Sequence, residues 1–255
     1  MRLHFKESGR GSAVILLHGL FGSADNWHHI ALGLAESFRV FAVDQRNHGQ
    51  SPHNDTMDYQ LMAADLDEFL AARGIQSAAV IGHSMGGKTA MQFALQFPER
   101  VDKLVVADMS PRANAPVHEP IIAAQLALDL PSFQTRQQIE DALAPEIPEL
   151  GLRRFLLKNL GRNAAGGFFW KINLRGLAEN YPRLCAPVSA AVPFTKPALF
   201  IRGGESDYIG PEDEPEIRTL FPRAEIQTIA GASHWVHADA PDAFLRLVLD
   251  FLRAE

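Results

Sequence analysis

Cysteine and basic charge are both scarce in this chain of 255 residues. Its single thiol, Cys185, cannot form an internal disulfide, so the fold does not require an oxidising compartment. The formal net charge is -6 and no basic run occurs, which argues against nucleic acid as the main partner. No apolar stretch approaches membrane-spanning length, and the first residues lack the apolar core of a signal peptide. We therefore expect a cytoplasmic protein without a membrane or nucleic-acid partner.

Short apolar runs without polar alternation recur along the chain. This hydrophobicity pattern is typical of parallel strands that helices cover on both faces. The runs are Val14–Leu17, Val40–Val43, Ala78–Ile81, Leu104–Ala107 and Ala198–Ile201, with residues 3–9 as an edge strand and Glu225–Ile229 as the last strand. Helical patterns lie between them, for example over Asp58–Ala72 and from Pro241 onward. This order predicts an α/β fold with a mostly parallel central sheet flanked by helices.

The segment Ala78–Gly87 places the pattern G-x-S-x-G between a predicted strand and a predicted helix. In a nucleophile elbow of this kind, the serine occupies a strained, sharp turn that exposes its hydroxyl. Gly82 and Gly86, two residues to either side, lie where strand and helix nearly touch, so only hydrogen fits there as a side chain. We therefore predict that Ser84 is a nucleophile at a helix N-terminus, where developing negative charge is favoured.

A glycine-containing loop, His18-Gly19-Leu20-Phe21-Gly22, follows the first buried strand. In hydrolases with a nucleophile elbow, one N–H of such a loop and the N–H after the nucleophile form the oxyanion hole. We assign these two donors to Leu20 and Met85. His18 is expected to be a structural hydrogen-bonding residue beside the hole.

A serine hydroxyl needs an imidazole base, and the imidazole needs a carboxylate that fixes its tautomer. His234 follows the last predicted strand in a loop of small residues, where the order of a hydrolase triad places the base. Two aspartates are candidates for the acid. Asp108 ends one predicted strand, and Asp207 follows the next strand within a G-x-x-D-x-x-x-P pattern. Either aspartate satisfies the chain order.

Proline is concentrated between Pro111 and Pro197, where ten of the sixteen prolines fall. They divide the segment into short helices, which we predict over Ile121–Leu130, Phe133–Leu143, Leu150–Leu160 and Phe169–Asn180. The pattern predicts a helical cap, residues 111–193, inserted into a core formed by residues 1–110 and 194–255. We expect aromatic side chains to line a short acyl site, and the candidates are Phe21, Phe169, Trp170 and Trp235.

Other polar residues receive a structural interpretation. Asp44 and Arg46 are expected to hold their loop in place beneath the elbow. His234 and His237 have no third ligand at zinc-like spacing, so we assign no metal to them. We expect neither a metal nor an organic cofactor.

The chain resembles a branch of the α/β-hydrolase superfamily that contains small bacterial acyl esterases, short-acyl-CoA esterases among them, and a related mitochondrial hydrolase. The resemblance runs from about His18 to the C-terminus. Its carriers are His18–Gly22, Asp44-x-Arg46-Asn47-His48-Gly49-x-Ser51-Pro52, Gly82–Lys88, Asp108-x-Ser110-Pro111, Phe155–Leu157 and Gly231-x-x-His234-Trp235-Val236-His237.

This resemblance implies an α/β-hydrolase fold with an inserted helical cap. It also implies a serine esterase or thioesterase that hydrolyses short-chain acyl esters, including acyl-CoA, through a covalent acyl-enzyme. The substrate is then a small-molecule ester or thioester. For the acid, the resemblance favours Asp108, whereas the loop spacing favours Asp207. We place Asp108 first and retain Asp207.

Other functions are compatible with the same pattern. Carbon–carbon bond hydrolases, lyases and cofactor-free haloperoxidases share the triad. For the lyases the resemblance implies an arginine in the cap, and Arg153, Arg154 and Arg175 are candidates. A binding protein on an inactive scaffold is disfavoured by the intact pair of Ser84 and His234. The natural substrate, the acyl-chain length and the oligomeric state stay open.

Overall fold

The structure, a computed structural model, describes residues 1–254 and is built around one seven-stranded sheet. The strands are β1 (Phe5–Gly9), β2 (Ala13–Leu17), β3 (Arg39–Val43), β4 (Ala78–His83), β5 (Val101–Ala107), β6 (Leu160–Arg162), β7 (Phe168–Trp170), β8 (Ala198–Gly203) and β9 (Ala224–Ile229). The large sheet has the order β1-β3-β2-β4-β5-β8-β9, whereas β6 and β7 form a separate antiparallel pair. Within the large sheet, β1 pairs antiparallel with β3 and the other neighbouring strands are parallel. The predicted mostly parallel sheet with an N-terminal edge strand is confirmed.

Helices cover both faces of this sheet. The helices of the described residues are α1 (His28–Ala35), α2 (Tyr59–Ala71), α3 (Met85–Gln96), α4 (Glu119–Leu126), α5 (Arg136–Leu143), α6 (Leu150–Leu157), α7 (Leu174–Leu184), α8 (Glu214–Leu220), α9 (Val236–Asp239) and α10 (Pro241–Arg253). Along β2, Val14 and Leu16 join an apolar layer with α1 and α10, and Ile15 and Leu17 join the opposite layer with α2 and α3. This double coverage explains why the strands are apolar throughout. Among residues 1–254, no helix has both the length and the apolar character that crossing a bilayer requires.

The loops predicted to carry function follow β2, β4, β5, β8 and β9. These five strands run parallel to one another, so their carboxyl ends meet at the same edge of the sheet. Ligands of open α/β sheets bind at this edge. The fold therefore collects loops that are far apart in the chain.

The chain between β5 and β8 forms α4 to α7 and the β6–β7 hairpin. Their apolar side chains share one buried cluster with Phe21, Met57 and Met85 from loops and helices of the sheet region. Three of the four helices predicted here are present as α4, α5 and α6; each is shorter than predicted, and α4 begins two residues earlier. The division into a core and a cap at residues 111–193 stays a prediction.

The fourth predicted helix, over Phe169–Asn180, is wrong in its first turn. Phe168–Trp170 is strand β7 and pairs with β6, and the helix α7 begins only at Leu174, where the Asn173 side chain accepts a hydrogen bond from Gly176 N. Gly166 supplies the turn between the strands with a φ of +84°. The three aromatic residues after the turn form a strand because they can pair with β6, a contact that local periodicity does not encode.

The predicted structural roles of Asp44 and Arg46 are confirmed. Arg46 forms a bidentate ion pair with Asp65 of α2, with Nε–Oδ2 and Nη2–Oδ1 distances of 2.6 and 2.9 Å, and both side chains are buried. Asp44 accepts hydrogen bonds from the main-chain N–H groups of Ala24 and Gln50 at 2.7 and 2.9 Å. The loop after β3 is therefore held from several sides.

Candidate active site

Ser84 lies at the junction of β4 and α3 in the strained turn that the sequence predicts. Its backbone has a φ of 54° and a ψ of -120°, a region that non-glycine residues rarely adopt. A Cβ on Gly82 would overlap the main chain of Gly86, and a Cβ on Gly86 would overlap the main chain at Leu17. The close approach of strand and helix therefore explains both glycines of the motif.

His234 is joined to Asp108 by a 2.7 Å hydrogen bond between Nδ1 and Oδ2. The Asp108 side chain is fully buried, and its other oxygen accepts from Gly203 N at 2.9 Å. Because an ionised carboxylate only accepts hydrogen bonds, Nδ1 carries the proton and Nε2 is left free to act as a base. The Ser84 side chain and the His234 ring line the same cavity. Among residues 1–254 no hydrogen bond joins the two; such bonds are often long before substrate binds.

Asp207, the other candidate acid, is placed differently. Its side chain is exposed and makes no hydrogen bond to His234 among the described residues, and its main-chain oxygen accepts from Arg112 at 2.9 Å. Its two neighbours reach the site instead. Ser206 donates a hydrogen bond to Oδ2 of Asp108, and the Tyr208 ring stacks on the His234 ring at 3.8 Å. Sequence reasoning found this loop but missed both residues, because their roles depend on contacts with Asp108 and His234, which are distant in the chain.

The loop after β2 holds Leu20 near Ser84, since both line the same cavities. Phe21 has a φ of +61°, Gly22 N donates to Gly19 O at 3.0 Å, and the Asn159 side chain donates to Phe21 O at 2.7 Å. Leu20 N finds no acceptor among residues 1–254. Met85 opens α3, and the N–H of a first helical residue has no partner within its helix. Both predicted oxyanion donors are therefore available, and sequence reasoning missed the support from Asn159.

The structural role predicted for His18 is confirmed. Its Nε2 accepts from Gln45 N at 3.0 Å, so Nδ1 carries the proton and donates to Gly19 O at 2.8 Å. Burial lowers the pKa of His18 below the usual value. The ring is thus a neutral support for the loop that carries Leu20.

Two further buried histidines pack near His234. His83 Nε2 donates to the main-chain oxygen of His234 at 2.9 Å, and the His83 and His237 rings lie 4.6 Å apart. Burial lowers the pKa of His83 well below the usual value and that of His237 to about 4. Among the described residues, no group of three or more His, Cys, Asp or Glu is arranged to hold a metal ion.

Two small cavities of about 60 and 40 Å³ meet at Ser84. The first is lined by Phe21 and Trp235, two of the candidate residues, and also by Leu152 and Phe155 of α6. The residues that line the second include Tyr59, Met85, Met109, Tyr181, Leu184 and Tyr208. Among the described residues, neither cavity is lined by Asp, Glu, Lys or Arg.

The prediction that Phe169 and Trp170 line the acyl site is not supported, since they line neither cavity. The alternation of β7 turns Phe168 toward the buried cluster and leaves Phe169 43% exposed. Trp170 packs against the same cluster. The aromatic side chains of the first cavity are instead Phe21, Trp235 and Phe155, the last of which comes from α6.

The cap arginines considered for a lyase also lie outside the cavities. Arg154 and Arg175 are exposed, and Arg153 donates to the main-chain oxygens of Ile147 and Pro148. A carboxylated substrate would bury its charge without a partner. The cavity lining therefore does not favour a lyase.

Residues 12–241 match the family described as the alpha/beta hydrolase fold, and the chain belongs to this family. It is 41% identical over 248 residues to the mouse protein named sn-1-specific diacylglycerol lipase ABHD11, covering 94% of this chain and 80% of the relative. It is 39% identical over 242 residues to the Escherichia coli esterase YbfF, covering 94% and 93%.

A solved structure described as a marine microorganism esterase superposes with a TM-score of 0.95 at 43% identity, covering 98% of both chains. The chain thus lies in the esterase branch of its family, and it is a carboxylic ester hydrolase. The interpretation as a non-catalytic binding protein is set aside.

Proposed function

We propose that the protein hydrolyses short-chain acyl esters of uncharged alcohols through Ser84, His234 and Asp108. One observation carries this proposal: the His234 ring is bonded to the buried Asp108 carboxylate at 2.7 Å and lines the cavity that contains Ser84. Asp207 is not proposed as the acid, because its side chain is exposed and has no bond to His234.

In the acylation step, Ser84 Oγ attacks the carbonyl carbon while its proton moves to His234 Nε2. The Asp108 carboxylate stabilises the imidazolium that forms. Main-chain N–H groups of Leu20 and Met85 donate to the carbonyl oxygen as it becomes negative, and removing one such donor typically costs about 3 kcal/mol. The bond to the alcohol oxygen then breaks, and the alcohol leaves with the proton from His234. Water attacks the acyl-enzyme in the same manner and releases the carboxylic acid.

The cavity walls support a small, uncharged substrate. Volumes of about 60 and 40 Å³ are small beside the roughly 300–1,000 Å³ of pockets for drug-sized ligands. The absence of Asp, Glu, Lys and Arg from the lining of the described residues favours a neutral acyl chain and a neutral alcohol. The mouse relative is named for a glyceride ester and the bacterial one simply as an esterase, which is consistent with an ester of a neutral alcohol.

A series of acyl-chain lengths tests the substrate proposal. We expect the highest kcat/KM for acetyl and butyryl esters and a steep fall for octanoyl and palmitoyl esters. Matching acyl-CoA thioesters, measured in parallel, determine the leaving-group preference. A maximum at palmitoyl would contradict the proposed chain length.

Covalent labelling tests the nucleophile separately. A fluorophosphonate should modify the peptide that contains Ser84, and Ser84→Ala should abolish both labelling and turnover. Labelling at another residue, or full activity of the Ser84→Ala variant, would refute the proposed mechanism.

A further inference from the structure

Of residues 1–254, three line both cavities: Leu20, Ser84 and His118. Leu20 and Ser84 come from loops at the edge of the sheet. His118 immediately precedes α4, so it reaches the junction from the segment between β5 and β8. No motif in the sequence singled it out. An ester that spans both cavities would place its reacting group at their junction. His118 is the residue of that segment that lies there.

The orientation of the His118 ring is fixed by Tyr181, a buried residue of α7. The phenol oxygen accepts from His118 N at 2.9 Å and lies 2.8 Å from His118 Nδ1. Burial raises the pKa of Tyr181, so the phenol keeps its hydrogen. In the proposed arrangement the Tyr181 hydroxyl donates to Nδ1, so the imidazole hydrogen resides on Nε2. Among residues 1–254, Nε2 has no hydrogen-bond partner.

The ring is also neutral at ordinary pH. Burial, followed by the charge of His234, lowers the pKa of His118 to about 4. A neutral imidazole with its hydrogen on Nε2 is a donor that does not compete with His234 for the Ser84 proton. His118 therefore has the properties of a fixed hydrogen-bond donor and not those of a second base.

The proposed catalytic arrangement, on which this inference rests, gives the two oxygens of the ester unequal numbers of donors. The carbonyl oxygen faces the N–H groups of Leu20 and Met85, and the acyl and alcohol parts occupy the two cavities. The alkoxy oxygen faces only His234 Nε2, so one of its two lone pairs has no donor at the junction. We propose that His118 donates a hydrogen bond from Nε2 to this alkoxy oxygen and stabilises its charge as the carbon–oxygen bond breaks. The proton that completes the alcohol still comes from His234, and His118 keeps its own.

Replacing the alkoxy oxygen of the substrate by sulfur tests the assignment. Sulfur is a weak hydrogen-bond acceptor, and a thiolate is a good leaving group that needs no hydrogen bond. The pair is ethyl butyrate and S-ethyl thiobutyrate, which share one acyl group. His118→Leu should lower kcat/KM for the oxygen ester roughly tenfold to a hundredfold, the range for an unmade bond to a buried polar group. The thioester value should change less than about twofold, so the ratio of the two rates reports the bond to the alkoxy oxygen.

Three variants complete the test. Tyr181→Phe removes the hydroxyl that holds the His118 hydrogen on Nε2, and it should lower the ratio of ester to thioester rates by a smaller factor. His118→Gln retains a donor and should restore part of the ester rate. His29→Leu changes an exposed histidine on α1 and should leave the ratio unchanged.

Equal losses for ester and thioester in His118→Leu would overturn the inference, since they would place the effect on the carbonyl group or on folding. Full activity of His118→Leu on both substrates would overturn it as well. Failure of the unmodified protein on both substrates would instead refute the proposed function, so the two failures are distinguishable.

Discussion

The substitution Asp108→Asn distinguishes the two acids that the sequence left open. Asp108 accepts hydrogen bonds from Gly203 N, Ser206 Oγ and His234 Nδ1. An asparagine has one oxygen and one NH₂ group for these three donors. Gly203 N lies on Oδ1, so the amide oxygen is expected to stay there, and the NH₂ group then faces His234.

The substitution changes which ring nitrogen of His234 carries the hydrogen. Facing a donor, Nδ1 of His234 becomes an acceptor, and the ring hydrogen moves to Nε2, the atom that must take the Ser84 proton. In a serine protease the corresponding substitution lowers kcat about 10⁴-fold. That factor corresponds to about 5.4 kcal/mol in the activation free energy.

The assay is kcat/KM for p-nitrophenyl butyrate, with the melting temperature measured on the same samples. Asp108→Asn should lose about four orders of magnitude while remaining folded. Asp207→Asn is the matched control, and because that side chain is exposed we expect a change below about twofold. A loss of less than tenfold in Asp108→Asn, or a comparable loss in Asp207→Asn, would refute the reasoning.

Three further predictions concern folding and stability. Gly82→Ala should prevent folding, because its Cβ would overlap main-chain atoms of the following helix, whereas Gly151→Ala, in the exposed first turn of α6, should be neutral; circular dichroism of both variants checks this. The buried His237 has a pKa of about 4, against about 6.5 when unfolded, so the unfolded chain binds the extra proton between these values and stability should fall as pH decreases. His237→Asn should reduce the slope of unfolding free energy against pH by up to about 1.4 kcal/mol per unit, and the exposed His29→Asn should not; equal slopes in urea titrations would contradict this. Lys88→Met leaves two main-chain oxygens at the ends of the 111–193 segment without their ammonium donor, so we expect a loss of about 1–3 kcal/mol for each oxygen that stays unpaired, and an unchanged urea midpoint would contradict it.

The elbow was predictable because its steric requirement is contained in a few adjacent residues. Gly82 and Gly86 are needed wherever a strand turns this sharply into a helix, and Ser84 stands between them. The apolar strands were predictable for a similar reason, since coverage on both faces leaves no polar alternation. The helix expected over Phe169–Asn180 failed at its start because β7 depends on pairing with another strand.

Sequence alone thus determined the nucleophile motif, the parallel sheet and the position of His234 after the last strand. Only the tertiary structure placed Asp108, and not Asp207, against His234, a contact between residues separated by 126 positions. It also placed α6 at the cavity and brought His118 to its junction. The physical reason is the separation of the interacting residues along the chain. Turns and strands follow from neighbouring residues, whereas a hydrogen bond between distant loops depends on how whole helices and strands pack.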